Sequence, residues 1–168
     1  MYDIVFYNSK PLSEERKTIL VEKYPFAKFV EFDSTLTTTA DLAKKHGLVS
    51  IIDNTFASPI NQKPIDMGID ISIHSATKYL GGHSDICAGA VAASSEHIDR
   101  IWNKAKNLGG NMSDFMCYLL ERSIKTLGVR VERHNSNAQF IAEYLNGHSA
   151  ITKVFYPGLI NHPNHHVA

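Results

Sequence analysis

Long apolar runs, a surplus of charge of either sign, and cysteine clusters are all missing from this chain, and each absence removes a class of function. No stretch approaches the ~20 apolar residues of a membrane-spanning helix. The opening MYDIVFYNSKPLSEERK lacks the basic-then-apolar order of a secretion signal, so the cytoplasm is the expected location. Seventeen basic residues stand against 17 acidic ones, with a pI near 7.1. That balance leaves no broad electrostatic footprint for nucleic acid or an anionic membrane. The two cysteines, Cys87 and Cys117, have no metal-type spacing and do not suggest a disulfide framework. There is no internal repeat, no low-complexity tract and no linker rich in Pro, Gly or Ser. What remains is 168 residues, 43% of them hydrophobic, enough for one compact domain with a core.

Helix-like and strand-like patterns alternate along the chain, which predicts an α/β fold with a mostly parallel sheet flanked by helices. Ser13 is placed to cap a helix through about Tyr24, with Pro25 as its stop. FAKFVEF (26–32) reads as a strand, and TTADLAKKHG (38–47) as a short helix with Lys44 and Lys45 in its last turn and Gly47 as terminator. LVSIIDN (48–54) is a continuous apolar run, the pattern of a strand buried on both faces. A short helix over Ile60–Met67 closes at Gly68, and DISIHSA (70–76) and AGAVAAS (88–94) read as strands. Ser94 or Ser95 caps a helix in which Ile98, Ile101, Trp102 and Ala105 share a face. Ser113 opens another, with Met116, Leu119, Leu120, Ile124 and Leu127 at helical spacing. Val131, His134, Ala138, Ile141, Ala142 and Leu145 mark a further helix, ending near Gly147, and TKVFYPG (152–158) reads as a last strand and turn.

In open parallel sheets, ligands sit beyond the carboxyl ends of the strands. Two predicted strands end in reactive side chains: SIID leaves Asp53 at its tip, and SIHSATK leaves Ser75, Thr77 and Lys78 at its own. A carboxylate, two hydroxyls and a primary amine at one sheet edge match what pyridoxal 5'-phosphate needs. The amine can form a Schiff base with its aldehyde, the carboxylate can keep the pyridine nitrogen protonated, and the hydroxyls can hold the phosphate. Gly81 and Gly82 suit a sharp turn beside a bulky cofactor. Composition and spacing alone leave this as one option among several.

The segment DNTFASPINQKPIDMGIDISIHSATKYLGGHSDICAGAV closely resembles the cysteine/methionine-metabolism, or transsulfuration, family of pyridoxal phosphate enzymes. That family comprises cystathionine γ-synthase, cystathionine γ- and β-lyases, methionine γ-lyase and O-acetylhomoserine sulfhydrylase. SATKYLGGHSD, around Lys78, is highly specific to it. The likeness continues through LLERSIKTLGVRVERHNSNA (119–138) and VFYPGLINHP (154–163), so it covers roughly Leu48 to the end and, more loosely, FVEF before that.

The resemblance implies part of the large domain of a fold type I pyridoxal phosphate enzyme over residues 1–150, with 151–168 beginning a C-terminal domain. It implies Lys78 as the Schiff-base residue and proton shuttle, Asp53 as partner of the pyridinium nitrogen, and Ser75 and Thr77 as phosphate ligands. It further implies a homo-oligomer, a dimer of dimers, acting on a sulfur amino acid or an activated homoserine. The family's N-terminal glycine loop, ring-stacking tyrosine and Tyr/Arg pair have no counterpart in this sequence. The Ser-Asn-Pro turn usual between Glu31 and Asp41 is replaced by EFDSTLTTTADLAKKHG. The arginine that grips the substrate carboxylate would lie past Ala168, so the expectation is of a partial chain.

The leading expectation is elimination on sulfur amino acids of the cystathionine γ-lyase type. The alternatives are a γ-replacement transferase or a non-catalytic fragment; a nucleotide-binding module stands well behind, since no glycine-rich phosphate loop follows the first strands. His162, His165 and His166 lack an acidic or cysteine partner at ligand spacing and read as surface loop, not metal site. His74 reads as a satisfied, partly buried strand histidine and His83 as part of the glycine turn. The charge-laced ERSIKTLGVRVERH reads as solvated helix faces with a subunit contact.

Overall fold

Serine caps and left-handed glycines set where several of the helices of this protein begin or end. The computed structural model describes residues 2–5, 13–23, 25, 27–30 and 39–167. In chain order these form β1 (Tyr2–Val5), α1 (Glu14–Lys23), β2 (Ala27–Val30), α2 (Thr39–Lys45), β3 (Ile51–Asp53), α3 (Ser58–Asn61), β4 (Ile71–Ser75) and β5 (Gly89–Ala93). The helices α4 (Ser95–Leu108), α5 (Asp114–Ile124) and α6 (Leu127–Asn146) follow. The architecture is α/β, as the alternation predicts. β1 pairs with β2 in parallel, and β3, β4 and β5 form a second sheet in that order, with β3 and β4 parallel. The β1 strand has no counterpart among the sequence expectations.

The described residues gather into two compact units. The first comprises residues 1–54, 63–74 and 91–110, and the second 55–62, 75–90 and 111–168. In the first unit, α2 ends as its composition predicts: Gly47 takes a φ of 63°, and the Leu48 amide reaches back to the Ala43 carbonyl at 2.8 Å. Ser94, not Ser95, caps α4, its hydroxyl accepting from the His97 amide. On that helix Ile98, Ile101 and Ala105 are half-buried, but Trp102 is exposed, with the Lys106 ammonium 5.9 Å from its ring centre. β3 is shorter than its apolar run suggests, and Ile51 is 61% exposed. An apolar run asks for cover on both faces, and the described residues supply only part of it.

The second unit carries the larger core. Ala76, Leu80, Ile86, Leu120, Leu127 and Val131 are buried together, with Met116, Leu119 and Tyr79 packed against them. Six such side chains withdrawn from water stabilise the unit by roughly 1.5–3 kcal/mol each for the larger ones. Ser113 caps α5 by accepting from the Met116 amide. The apolar register that runs from Met116 to Leu127 is broken by a turn: Thr126 bonds back to Ser123, and Leu127 opens α6 instead of closing α5. The core accepts Leu127 from either helix, so spacing alone misses the break.

Two expected elements differ. The helix expected over Ile60–Met67 is only α3, because Pro64 lacks the amide that would continue it; residues 64–68 form turns instead. TKVFYPG forms no strand, since no described strand pairs with it. Tyr24 and residues 26, 31 and 32 of the expected first helix and strand lie outside the described residues. Among the described residues, no helix is long and apolar enough to cross a membrane.

Candidate active site

Parallel pairing aligns β3 with β4 and leaves Asp53, the last residue of β3, opposite Ile73. The register aligns Ile51 with Ile71 and Asp53 with Ile73, a constant offset of 20 residues. It is locked at the amino ends. The buried Ser50 gives both its amide (2.8 Å) and its hydroxyl (2.7 Å) to the Asp70 carboxylate, and the Asp70 amide returns a bond to the Ser50 hydroxyl at 2.9 Å. Those donations hold the Asp70 pKa below its ordinary value, first through the Ser50 amide and then through its hydroxyl.

Within the same unit, Asp53 is exposed and Asn54, which follows it, is buried with its amide on the Ile73 carbonyl at 2.9 Å. His74 is partly buried, its Nε2 3.3 Å from the Ser72 hydroxyl. The expectation of a satisfied histidine fails on one atom: Nδ1 is buried with no hydrogen-bond partner among the described residues. Burial pushes the His74 pKa down, and the Asp53 charge opposes this only partly.

In the second unit, Ser75, Thr77 and Lys78 come together in one tight turn. The Ser75 amide donates to the Thr55 hydroxyl at 2.7 Å, which fixes where β4 stops. The Lys78 amide bonds to the Ser75 carbonyl at 3.0 Å, Gly81 to Ala76 at 2.8 Å, and Gly82 to Lys78 at 2.7 Å. The helical winding carries Ala76, 0% exposed, and Leu80 into the core, while Ser75 and Lys78, three apart, are exposed. With its own amide bonded to Ser75 and its own carbonyl to Gly82, Lys78 is held in backbone whatever its side chain does.

The Thr77 hydroxyl accepts from the Ala88 amide at 3.0 Å and donates to the Ala88 carbonyl at 3.4 Å. It therefore ties the lysine turn to the start of β5, and one of its lone pairs remains for another donor. His83 donates from Nδ1 to the Gly81 carbonyl at 2.7 Å, closing the glycine turn as expected.

Around the two glycines the protein itself leaves no room for a side chain. A side chain on Gly81 would meet Ile86 at 2.7 Å and the Ala76 carbonyl at 2.8 Å; one on Gly82, whose φ is 76°, would overlap the Arg130 guanidinium. The tight neighbours are core and arginine.

Arg130 is the residue that the sequence hides. Placed in a charge-laced segment, it reads as solvated, yet it is half-buried and donates to the carbonyls of Tyr79 (2.8 Å), Leu80 (3.4 Å) and Ser123 (2.9 Å), and to the Thr126 hydroxyl (3.1 Å). Thr55 was equally silent. Ser50 and Asp70, and Thr55 and Ser75, share the 20-residue offset of the strand register, an offset that only the folded pairing reveals. Among the described residues no group of three metal-binding side chains occurs; the His165 Nδ1 donates to the Pro157 carbonyl at 2.9 Å, and the His162 Nδ1 accepts from the Asn164 amide.

The sequence matches a family model described as Cys/Met metabolism PLP-dependent enzyme over residues 9–168. It is 46% identical over 134 residues to a cystathionine γ-synthase of Mycobacterium leprae (strain TN), covering 79% of this chain and 34% of that protein. It is likewise 46% identical over 130 residues to a cystathionine β-lyase of Lactococcus lactis subsp. cremoris, with 77% and 34% covered. A cystathionine γ-lyase of Bacillus subtilis (strain 168) is 46% identical over 134 residues, with 79% and 35% covered. Among solved structures, the cystathionine γ-lyase from Lactobacillus plantarum complexed with L-serine superposes with a TM-score of 0.79 at 34% identity, covering 99% of this chain and 52% of that one. The cystathionine γ-synthase from Xanthomonas oryzae pv. oryzae in complex with aminoacrylate and cysteine gives 0.77 at 31% identity, covering 99% and 51%. The chain thus spans about a third of the length of these curated relatives and about half of these solved chains. It belongs to the Cys/Met-metabolism family of pyridoxal phosphate-dependent enzymes.

Proposed function

We propose that this chain contributes the cofactor-bearing part of a carbon–sulfur lyase of transsulfuration, acting on cystathionine or a related sulfur amino acid in the manner of a cystathionine γ-lyase. The observation that carries this is the turn at the end of β4. It presents an exposed primary amine, Lys78, on a backbone bonded at Ser75, Ala76 and Gly82, with hydroxyls one and three residues before it.

The residues present fit the group. The Ser75 hydroxyl is exposed at the strand end, suited to a phosphate oxygen. Thr77 keeps an acceptor lone pair and can turn its proton from Ala88, the longest of its bonds, to serve a phosphate as well. Lys78 would hold the cofactor through its amine and, once the substrate's amine has displaced it, would carry a proton between substrate carbons from the freed nitrogen. Asp53, at the carboxyl end of β3, would keep the ring nitrogen protonated by its charge. Bound in this way, pyridoxal phosphate supplies an electron sink that makes a substrate carbanion accessible near neutral pH.

We take residues 1–150 as part of the large domain and 151–168 as the opening of a C-terminal domain, in a cytoplasmic homo-oligomer. Elimination and γ-replacement use the same lysine turn, and lyases and a synthase both stand among the relatives, so replacement is the second reading.

Incubating the protein with pyridoxal phosphate, reducing with borohydride and mapping peptides is the direct test. Label on Lys78, lost in Lys78→Ala, is expected; label spread evenly over the lysines would overturn the reading. With cystathionine, γ-elimination yields cysteine, 2-oxobutyrate and ammonia, whereas pyruvate would mark β-elimination instead.

A further inference from the structure

We infer that Arg130 is a positioning residue for the proposed chemistry: through the backbone it grips, it sets where the Lys78 amine is presented. The inference rests on the function proposed above. The two carbonyls immediately after Lys78, those of Tyr79 and Leu80, both accept from the Arg130 guanidinium. Backbone carbonyls in a tight turn that are drawn away from water need a donor, and the guanidinium supplies it.

The other donors of the same guanidinium go to Ser123, at the end of α5, and to Thr126, at the break before α6. One planar fork thus ties the lysine turn to the junction of two helices, at bonding geometries a lysine ammonium could not span at once. The grip is doubled one helical turn on, where the His134 ring meets the Tyr79 ring at 5.7 Å between centres and 67° between planes. Leu127 and Val131, flanking Arg130 on α6, are buried in the core that also holds Ala76 and Leu80.

The arrangement also accounts for Gly82. Its open side is the space the guanidinium occupies, and any side chain there would displace the arm. Sequence neighbours of the lysine are therefore selected by an arginine nearly fifty residues away. A reacting amine must be held close to its productive direction, and small displacements of its support cost much in rate.

The test compares wild type, Arg130→Met and Arg133→Met, the last an exposed arginine of the same helix. Each is incubated with pyridoxal phosphate, reduced with borohydride and mapped for label on Lys78 against label on the other lysines. The pH midpoint of the cofactor's visible absorbance is recorded in parallel, and melting is followed without cofactor. Arg130→Met is expected to lose selectivity for Lys78 by about tenfold or more and to shift the absorbance midpoint, while Arg133→Met matches wild type. Should Arg130→Met fail to fold, Arg130→Lys, which keeps the charge and reaches one carbonyl, carries the same comparison. Wild-type selectivity and midpoint in a folded Arg130 variant would overturn the inference. A wild type that does not capture the cofactor at Lys78 would instead overturn the proposed function.

Discussion

Ser50 and Asp70 bond to each other three times across the starts of two parallel strands, and this pair sets the register that leaves Asp53 opposite Ile73. Slipping a strand by one residue would turn every side chain to the other face. Asp70→Ala is expected to cost about 1.5–3 kcal/mol, the scale of a hydrogen bond to a charged group, read from urea melts. The depressed Asp70 pKa means its share of stability is present above the unfolded carboxylate value and is lost as pH falls through the lower folded value. Wild type should therefore lose stability in that acidic window, and Asp70→Ala should lose less.

The buried Nδ1 of His74 makes an opposite group titrate with a related outcome. Its folded pKa lies below the ordinary 6.5 because burial penalises the cation. The unfolded chain then binds the proton first, so stability falls as pH drops from about 6.5 towards the folded value, and is unaffected above it. His74→Leu is expected to flatten that part of the stability–pH curve relative to wild type. Parallel curves for the two proteins would show that the imidazole is not held neutral.

Gly82 and Gly109 offer a matched pair. Both have left-handed backbone, φ 76° and 74°, but a side chain on Gly109 meets open space and one on Gly82 meets Arg130. Gly109→Ala is expected to cost only the conformational strain, about 1–2 kcal/mol. Gly82→Ala adds displacement of the guanidinium, for a total of about 3 kcal/mol or more. Equal melting temperatures would show that the arm moves aside freely.

Lys78 is exposed, so it should matter little to folding. Lys78→Ala is expected to change stability by no more than about 0.5 kcal/mol. Lys78→Ala should abolish covalent capture of pyridoxal phosphate. Asp53→Asn should weaken cofactor retention by about tenfold or more, the loss of a charge-assisted bond, measured by equilibrium dialysis.

Much of the fold is readable one segment at a time. Ser94, Ser113 and Gly47 stop and start helices through their own side chains and backbone freedom, and the strands around 51–53, 71–75 and 89–93 announce themselves by composition. The lysine turn is legible for the same reason, because its hydroxyls, amine and glycines are contiguous. The errors have two sources: Pro64, inside the expected segment, ends a helix its apolar pattern would continue, and Leu127 lies beyond a turn between Ser123 and Thr126 that apolar spacing does not register.

Local chemistry, carried by residues within one or two turns of each other, is what the sequence by itself determined here: the α/β alternation, the helix caps, and the amine at position 78 between a hydroxyl-bearing strand end and two glycines. Only tertiary structure decided the partners, because hydrogen bonds between distant segments depend on register and packing that no local pattern records. Ser50 finds Asp70, Thr55 finds the Ser75 amide, and a half-buried Arg130 holds two carbonyls beside the lysine. An arginine's charge is visible in the sequence; the carbonyls that bind it come together only once the chain has folded.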